Sequence, residues 1–325
     1  MTRVGVSTDV ERESHLIRCQ THDTIPAVRV TTEPPQPLFA ISQVSTLTAS
    51  FAEDLETYAA AGLDGIGIWE MKLGEDPAAD PDALERLAAS GLGVSSSIPQ
   101  VPSILPLPLL PGPDDPAERI DSLCRSIHRL AAFGPTAIVC LTGPAGARDP
   151  DEARATVVDG LRTVGAEAER AGTRMALEPF QREGIESWSL INTIPDALAL
   201  LDDVGSRAFG IQFDVWHLWN TPDLLDQIHD NVHRFAGVHV NDWREPTRGW
   251  ADRALPGDGV ADVAAILGAL DSAGWGGYYD LEIFSDNGAF GAAYPDSLWD
   301  ADPAELVRRG RENFARCWQE RRVAA

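Results

Sequence analysis

The chain has 325 residues, 44% of them hydrophobic, which is enough for a large core and too apolar for a disordered protein. Its formal net charge of -24 repels phosphate backbones and so argues against general nucleic-acid binding, while leaving a small substrate open. No apolar run approaches the roughly 18 residues of a membrane span, and MTRVGVSTDVERESHLIRCQ lacks the apolar stretch of a secretory signal, so a cytoplasmic protein is expected.

In chain order, residues 1–37 are polar and end in TTEPPQP, which reads as an irregular extension closed by a stiff proline-rich connection. Regular alternation starts at Leu38. Short apolar runs recur at 38–44, 65–70, 93–98, 137–143, 174–180, 209–216, 235–242 and 278–284, and their β-branched and aromatic content suits buried parallel strands. Amphipathic helices are expected between them. The stretch 50–62 ends in Gly62, suited to a left-handed cap, and 149–172 opens on acids and closes on Arg170 and Gly172. The helix at 221–232 takes Thr221 as N-cap and Pro222 as its first residue, and a last helix covers 302–320. Eight such units predict a (β/α)8 TIM barrel over 38–320, with 321–325 as a tail. A doubly wound open sheet is the competitor, but ISQVSTLTAS stands where its glycine-rich fingerprint would follow the first strand. The cysteines, Cys19, Cys124, Cys140 and Cys317, form no CxxC pair and predict neither zinc ribbon nor disulfide scaffold.

Catalytic groups of a TIM barrel stand at the C-terminal ends of its strands. The last four predicted strands each offer a metal-type ligand there: Glu178, Asp214, His239 and Glu282. Each is embedded in an apolar run where an unpaired charge is costly to bury, and one cation would relieve three carboxylates together. Taken singly, each acid has an ordinary reading as a paired or capping residue, and His239 as a satisfied core histidine. Coincidence at one end of four consecutive strands is what favours a joint site. Three oxygen donors and one imidazole suit a divalent ion, Mn2+ first, with Mg2+, Co2+ or Zn2+ as alternatives. Such an ion would polarise a carbonyl. His217, three residues after Asp214, would hydrogen-bond a substrate hydroxyl or orient a carboxylate, against a surface-loop reading. His229 and His233 are expected to be solvated on a helix. Trp69, Trp216 and Trp243 are expected to form an apolar wall or to pack in the core.

The chain resembles the sugar phosphate isomerase/epimerase superfamily of xylose-isomerase-like TIM barrels. The resemblance rests on LEP around Glu178, FDVWH at 213–217, GVHVNDWRE at 237–245, ALPGDG at 254–259, YYDLEIF at 278–284 and GLDGIGIWE at 62–70. It implies proton transfer on a small carbohydrate or polyol, with Glu178 and Glu282 removing and returning a proton beside a metal-bound carbonyl. It also implies His217 and, less directly, Arg253 as substrate-binding residues.

An isomerase or epimerase is therefore the first expectation. A lyase on the same scaffold, of the inosose-dehydratase or C-glycoside-cleaving kind, begins with the same deprotonation and stands as its alternative. DNA repair of the endonuclease-IV type needs a three-metal cluster with more histidines than are well placed here, and the acidic surface opposes it. A catalytically dead binding barrel would have been free to lose buried charges. The apolar, proline-rich segment 98–113 is outside this pattern and reads as a substrate lid over the barrel mouth or a subunit interface of a homo-oligomer.

Overall fold

A computed structural model describes residues 36–108, 110, 112–180 and 188–321. The expected extension at 1–37 and tail at 321–325 therefore lie almost wholly outside the described residues. Eight parallel strands close into a barrel: β1 (Leu38–Ser42), β2 (Gly65–Trp69), β3 (Gly93–Ile98), β4 (Ala137–Cys140), β5 (Met175–Leu177), β6 (Phe209–Asp214), β7 (Phe235–Val240) and β8 (Tyr278–Leu281). Closure runs through β1, whose Leu38 pairs with Tyr278 on one side while Ala40 pairs with Gly65 on the other. This is the expected (β/α)8 architecture.

All eight apolar runs contain a strand, but several ladders stop earlier than the runs do. The run 174–180 gives only the three residues of β5, and 137–143 ends its strand at Cys140. Apolarity reports burial rather than ladder pairing. The surplus residues continue into loops over the barrel mouth, where Leu141, Phe180 and Trp216 pack with Leu107, Trp188 and Trp243.

Around the barrel lie, among others, α1 (Phe51–Ala60), α2 (Asp80–Ser90), α3 (Pro116–Ala131), α4 (Pro150–Ala171), α5 (Ile194–Val204), the short α6 (Val215–Leu218), α7 (Leu224–Asn231), α8 (Val263–Ser272) and α9 (Pro303–Glu320). Their caps follow local chemistry. Ser50 and Glu53 form a reciprocal capping box at α1, and Asp149 and Asp302 cap α4 and α9 with proline next in line. Thr221 is a correction: α7 begins at Leu224, with Asp223 at the cap position. Residues beyond β6 first complete α6, and the Thr221 amide is spent on the Leu218 carbonyl. His229 and His233 are exposed, as expected.

Between barrel and helices lies the main apolar layer, in which Ile66, Ile138, Leu177, Ile211 and Leu281 meet Leu123, Leu161, Leu200, Leu267 and Val307. The barrel interior is different. Asp280 reaches across it to the hydroxyls of Ser95 and Ser96, at 2.7 and 2.8 Å. Gly67 faces this group, and a Cβ there would sit 2.5 Å from Asp280 and 2.9 Å from Ser42, closer than real contacts allow. Close approach, rather than a turn, explains that glycine.

The segment 98–113 is more firmly built than a free lid. Residues 101–105 are buried, and they pair with the continuation of β4. Leu141 N donates to Pro102 O (2.7 Å), and Leu105 N donates to Thr142 O (2.8 Å). Arg119 of α3 ties Ser103 O and Pro113 O together, each at 3.0 Å. Leu107 lies in the aromatic cluster over the mouth. Residues 101–105 are thus built into the wall of the barrel mouth.

Among the described residues no helix is long and apolar enough to cross a membrane.

Candidate metal centre

Strand geometry brings the four expected residues together. Glu178 follows β5, and its amide bonds Cys140 O at 3.1 Å; Asp214 ends β6 in register with His239 of β7; Glu282 follows β8, with its amide 3.2 Å from Val240 O. One ligand atom from each of the four lies within 4.8 Å of the others. His239 Nδ1 is 3.6 Å from Glu178 Oε1, 3.7 Å from Asp214 Oδ2 and 3.2 Å from Glu282 Oε2. None of the four is more than 5% exposed.

Hydrogen bonds hold these groups from behind. Asp214 Oδ1 accepts from Trp216 N at 2.7 Å and from Asn241 Nδ2 at 3.0 Å. Asn241 also donates to Glu282 O at 3.2 Å. Ser96 Oγ spends its proton on Asp280, so it can only accept from the His239 Nε2–H, 3.3 Å away. That bond leaves Nδ1 facing the three carboxylates. Sequence reasoning missed Asn241, Ser96 and Asp280. The two-residue period of a strand could have found Asp280, which stands one step below Glu282 on the same face.

Arg253 enters from a two-stranded antiparallel ribbon that pairs Asp242–Trp243 with Arg253–Ala254. Its amide is bound to Phe284 O at 2.9 Å. Asp242 steadies the following ALPGDG turn by accepting from the amides of Gly257, Gly259 and Ala261, each at 2.9 Å. So held, Arg253 Nη1 lies 2.8 Å from Asp214 Oδ2 and 2.6 Å from Glu282 Oε2. Its guanidinium also lies over the rings of Trp216 and Phe284. His217 is 2% exposed, which excludes the surface-loop reading. Its ring rests 4.0 Å from that of Phe180, with Nε2 3.5 Å from Arg253 Nη2. Trp216 and Trp243 pack together at 4.7 Å, whereas Trp69 lines a different cavity, so the three tryptophans form no single wall.

The electrostatics separate two of the carboxyls, Glu178 and Asp214. Burial lifts Glu178 to about 7, with Glu282 and Asp214 adding to the lift and His239 opposing it. Asp214 is equally buried, but Arg253 first and then His239 outweigh burial and hold it well below the usual carboxylate range. Burial drives His217 down to about 3, so its imidazole is neutral. Burial opposes charge on His239 too, yet Glu282, Asp214 and Glu178 hold its proton well above the ordinary value.

Glu178 Oε1 and His239 Nδ1 are buried without a hydrogen-bond partner and face the same point. Orphaned groups of this kind are costly unless something else engages them. A donor set of three carboxylates and one imidazole fits a divalent cation.

The chain matches the family model described as xylose isomerase-like TIM barrel over residues 55–317. It is 27% identical over 264 residues to the 3-dehydroshikimate dehydratase of Pseudomonas putida, covering 76% of this chain and 38% of that protein. With the 3-dehydro-D-guloside 4-epimerase of Escherichia coli it shares 32% identity over 154 residues, 46% of this chain and 54% of the relative. The chain thus spans only part of the length of these curated relatives. The solved structure of protein SMc04130 from Sinorhizobium meliloti superposes with a TM-score of 0.74 at 26% identity, over 86% of this chain and 98% of that one.

Proposed function

The chain belongs to the xylose isomerase-like TIM barrel family, and from that premise we propose that it is a divalent-metal-dependent isomerase or epimerase that moves a proton beside the carbonyl of a keto-sugar or related polyol. The observation that carries this reading is the convergence of the buried Glu178 and Glu282 carboxyls, with Asp214 and His239, on one point at the C-terminal end of the barrel. A carboxyl held within reach of the reacting carbon can take up a proton and release it during turnover.

Glu178, Asp214, His239 and Glu282 would hold the ion, Mn2+ first, and a bound ion supplies Lewis acidity toward a carbonyl oxygen. The chain's own residues do the rest. Glu178 takes the proton from the carbon next to the carbonyl, and the C–H electron pair moves toward the carbonyl oxygen. Glu282, entering the step protonated, returns its proton to the opposite face for epimerisation or to the neighbouring carbon for isomerisation. Exchange with solvent then takes the proton from Glu178 and restores that of Glu282. Arg253 keeps Asp214 ionised and positions Glu282, while neutral His217 offers a hydrogen bond to a substrate hydroxyl.

A second reading is a lyase: the same deprotonation followed by loss of a β-hydroxyl or another leaving group. The dehydratase relative, which matches most of this chain, supports it. Mass spectrometry after turnover in D2O, across keto-sugars, inososes and C-glycosides, tests both. Deuterium incorporation without other mass change identifies the isomerase or epimerase, and loss of water or an aglycone identifies the lyase. Absence of exchange in every substrate class, with metal bound, would sink the proton-transfer reading.

A further inference from the structure

Beside the candidate metal centre lies a cavity of about 370 Å³, within the size range of small-molecule pockets. Its walls include Trp69 at the end of β2, Ile98 at the end of β3, Val101 from the fixed part of segment 98–113, and Phe284 and Phe290 beyond Glu282. All stand on the C-terminal side of the barrel, as the carboxylates do. Phe284 belongs to both sides: it lines the cavity, and its ring centroid is 4.9 Å from the Arg253 guanidinium, which itself touches Glu282.

The chemistry of the lining is one-sided. Only Gln100 and Ser122 carry polar side chains, and among the described lining residues none is charged. A sugar with several hydroxyls placed there would lose more water contacts than Gln100, Ser122 and the Trp69 N–H could replace, and a phosphate would find no cation among the described lining residues. Flat rings and branched aliphatics offer the opposite, a surface that favours an apolar, planar group. The backbone pairing that fixes residues 101–105 means that this wall is preformed.

We propose that this cavity is a subsite for an aryl-type apolar substituent of the substrate, whose carbonyl-bearing polar part occupies the adjoining metal centre. The identity of the polar part rests on the proton-transfer reading above, while the subsite stands on its own lining.

The test is a titration of the full chain with phenol, followed through the Trp69 indole N–H in heteronuclear NMR and assigned with Trp69→Phe. Glycerol is the control, as a probe of polar character. The expected result is a saturable shift with phenol at millimolar concentration, at least about tenfold stronger than with glycerol. Met71→Glu, at the half-exposed rim, and Phe290→Ala should each weaken phenol binding several-fold. No saturable shift, or equal responses to phenol and glycerol, overturns the proposal. A change of sedimenting mass in Met71→Glu also overturns it, because the lining would then be a contact between copies of the chain. Phenol binding retained in a protein that exchanges no keto-sugar proton would remove the proton-transfer reading and leave the subsite in place.

Discussion

Arg253 Nη1 lies 2.8 Å from Asp214 Oδ2, deep inside the barrel mouth, so a fixed cation already rests on one carboxylate of the proposed metal set. The same nitrogen lies 2.6 Å from Glu282. Arg253 thus makes a cluster of buried acids tolerable and shares two of them with any bound ion.

Replacing it exposes both effects. Arg253→Met should destabilise the metal-free protein by about 3 kcal/mol, the cost of leaving buried carboxylates uncompensated. Mn2+ should then raise the melting temperature by more than it does in the unaltered protein, since the ion takes over the missing charge. Equal metal-induced shifts in the two proteins would show that Arg253 and the ion do not share these groups.

Glu178→Gln and Glu282→Gln should each lower solvent-deuterium exchange by about 10²–10⁴-fold, the usual contribution of a positioned acid or base. Both should also weaken Mn2+ binding. Rates equal to the unaltered protein at saturating Mn2+ would remove the proposed proton-transfer roles.

Metal affinity should depend on pH with a definite sign. Glu178, lifted to about 7 by burial, carries a proton below that pH, and His239 holds its proton well above the ordinary histidine value because three carboxylates surround it. An ion must displace both protons below about pH 7, and only that of His239 above it. Chelator competition should therefore give an association constant that rises with pH, more steeply below 7 than above. An affinity independent of pH would contradict the assignment of these two ligands.

Ser96 sets which nitrogen of His239 faces the carboxylates. Ser96→Ala should weaken Mn2+ binding by about 10-fold or more, as expected when the outer partner of a ligand is removed. Ser96→Thr, which keeps the hydroxyl, should restore much of the loss. If Ala and Thr behave alike, the hydroxyl bond is not what orients the ring.

Away from the site, Lys72 and Asp54 form a buried pair at 2.7 Å, with Gln43 and Thr46 also bonded to Asp54. Burial raises the aspartate's pKa and lowers that of the lysine despite their mutual attraction, so desolvation outweighs the pairing. Removing one partner alone, as in Lys72→Met, should cost about 3 kcal/mol, and Lys72→Met combined with Asp54→Leu should cost less than the single change. Additive losses in denaturant unfolding would show that the two charges do not interact.

The amino-acid order by itself determined the barrel and the four clustered residues proposed as ligands. Strand periodicity, apolar runs and end-of-strand acids are local signals, so Glu178, Asp214, His239 and Glu282 were legible one strand at a time. Other features were settled only by closure of the fold. Asp214 meets Arg253 across 39 residues, Asp280 meets Ser96 across 184, and segment 101–105 joins the edge beyond β4. No local pattern encodes such pairings, because each depends on which strand ends converge. Thr221 shows the same limit on a smaller scale: its sequence suits a helix cap, but the turn completing α6 claims it first. Local preference is worth about 1 kcal/mol at such a position, and tertiary placement of the preceding strand decides where the next helix can start.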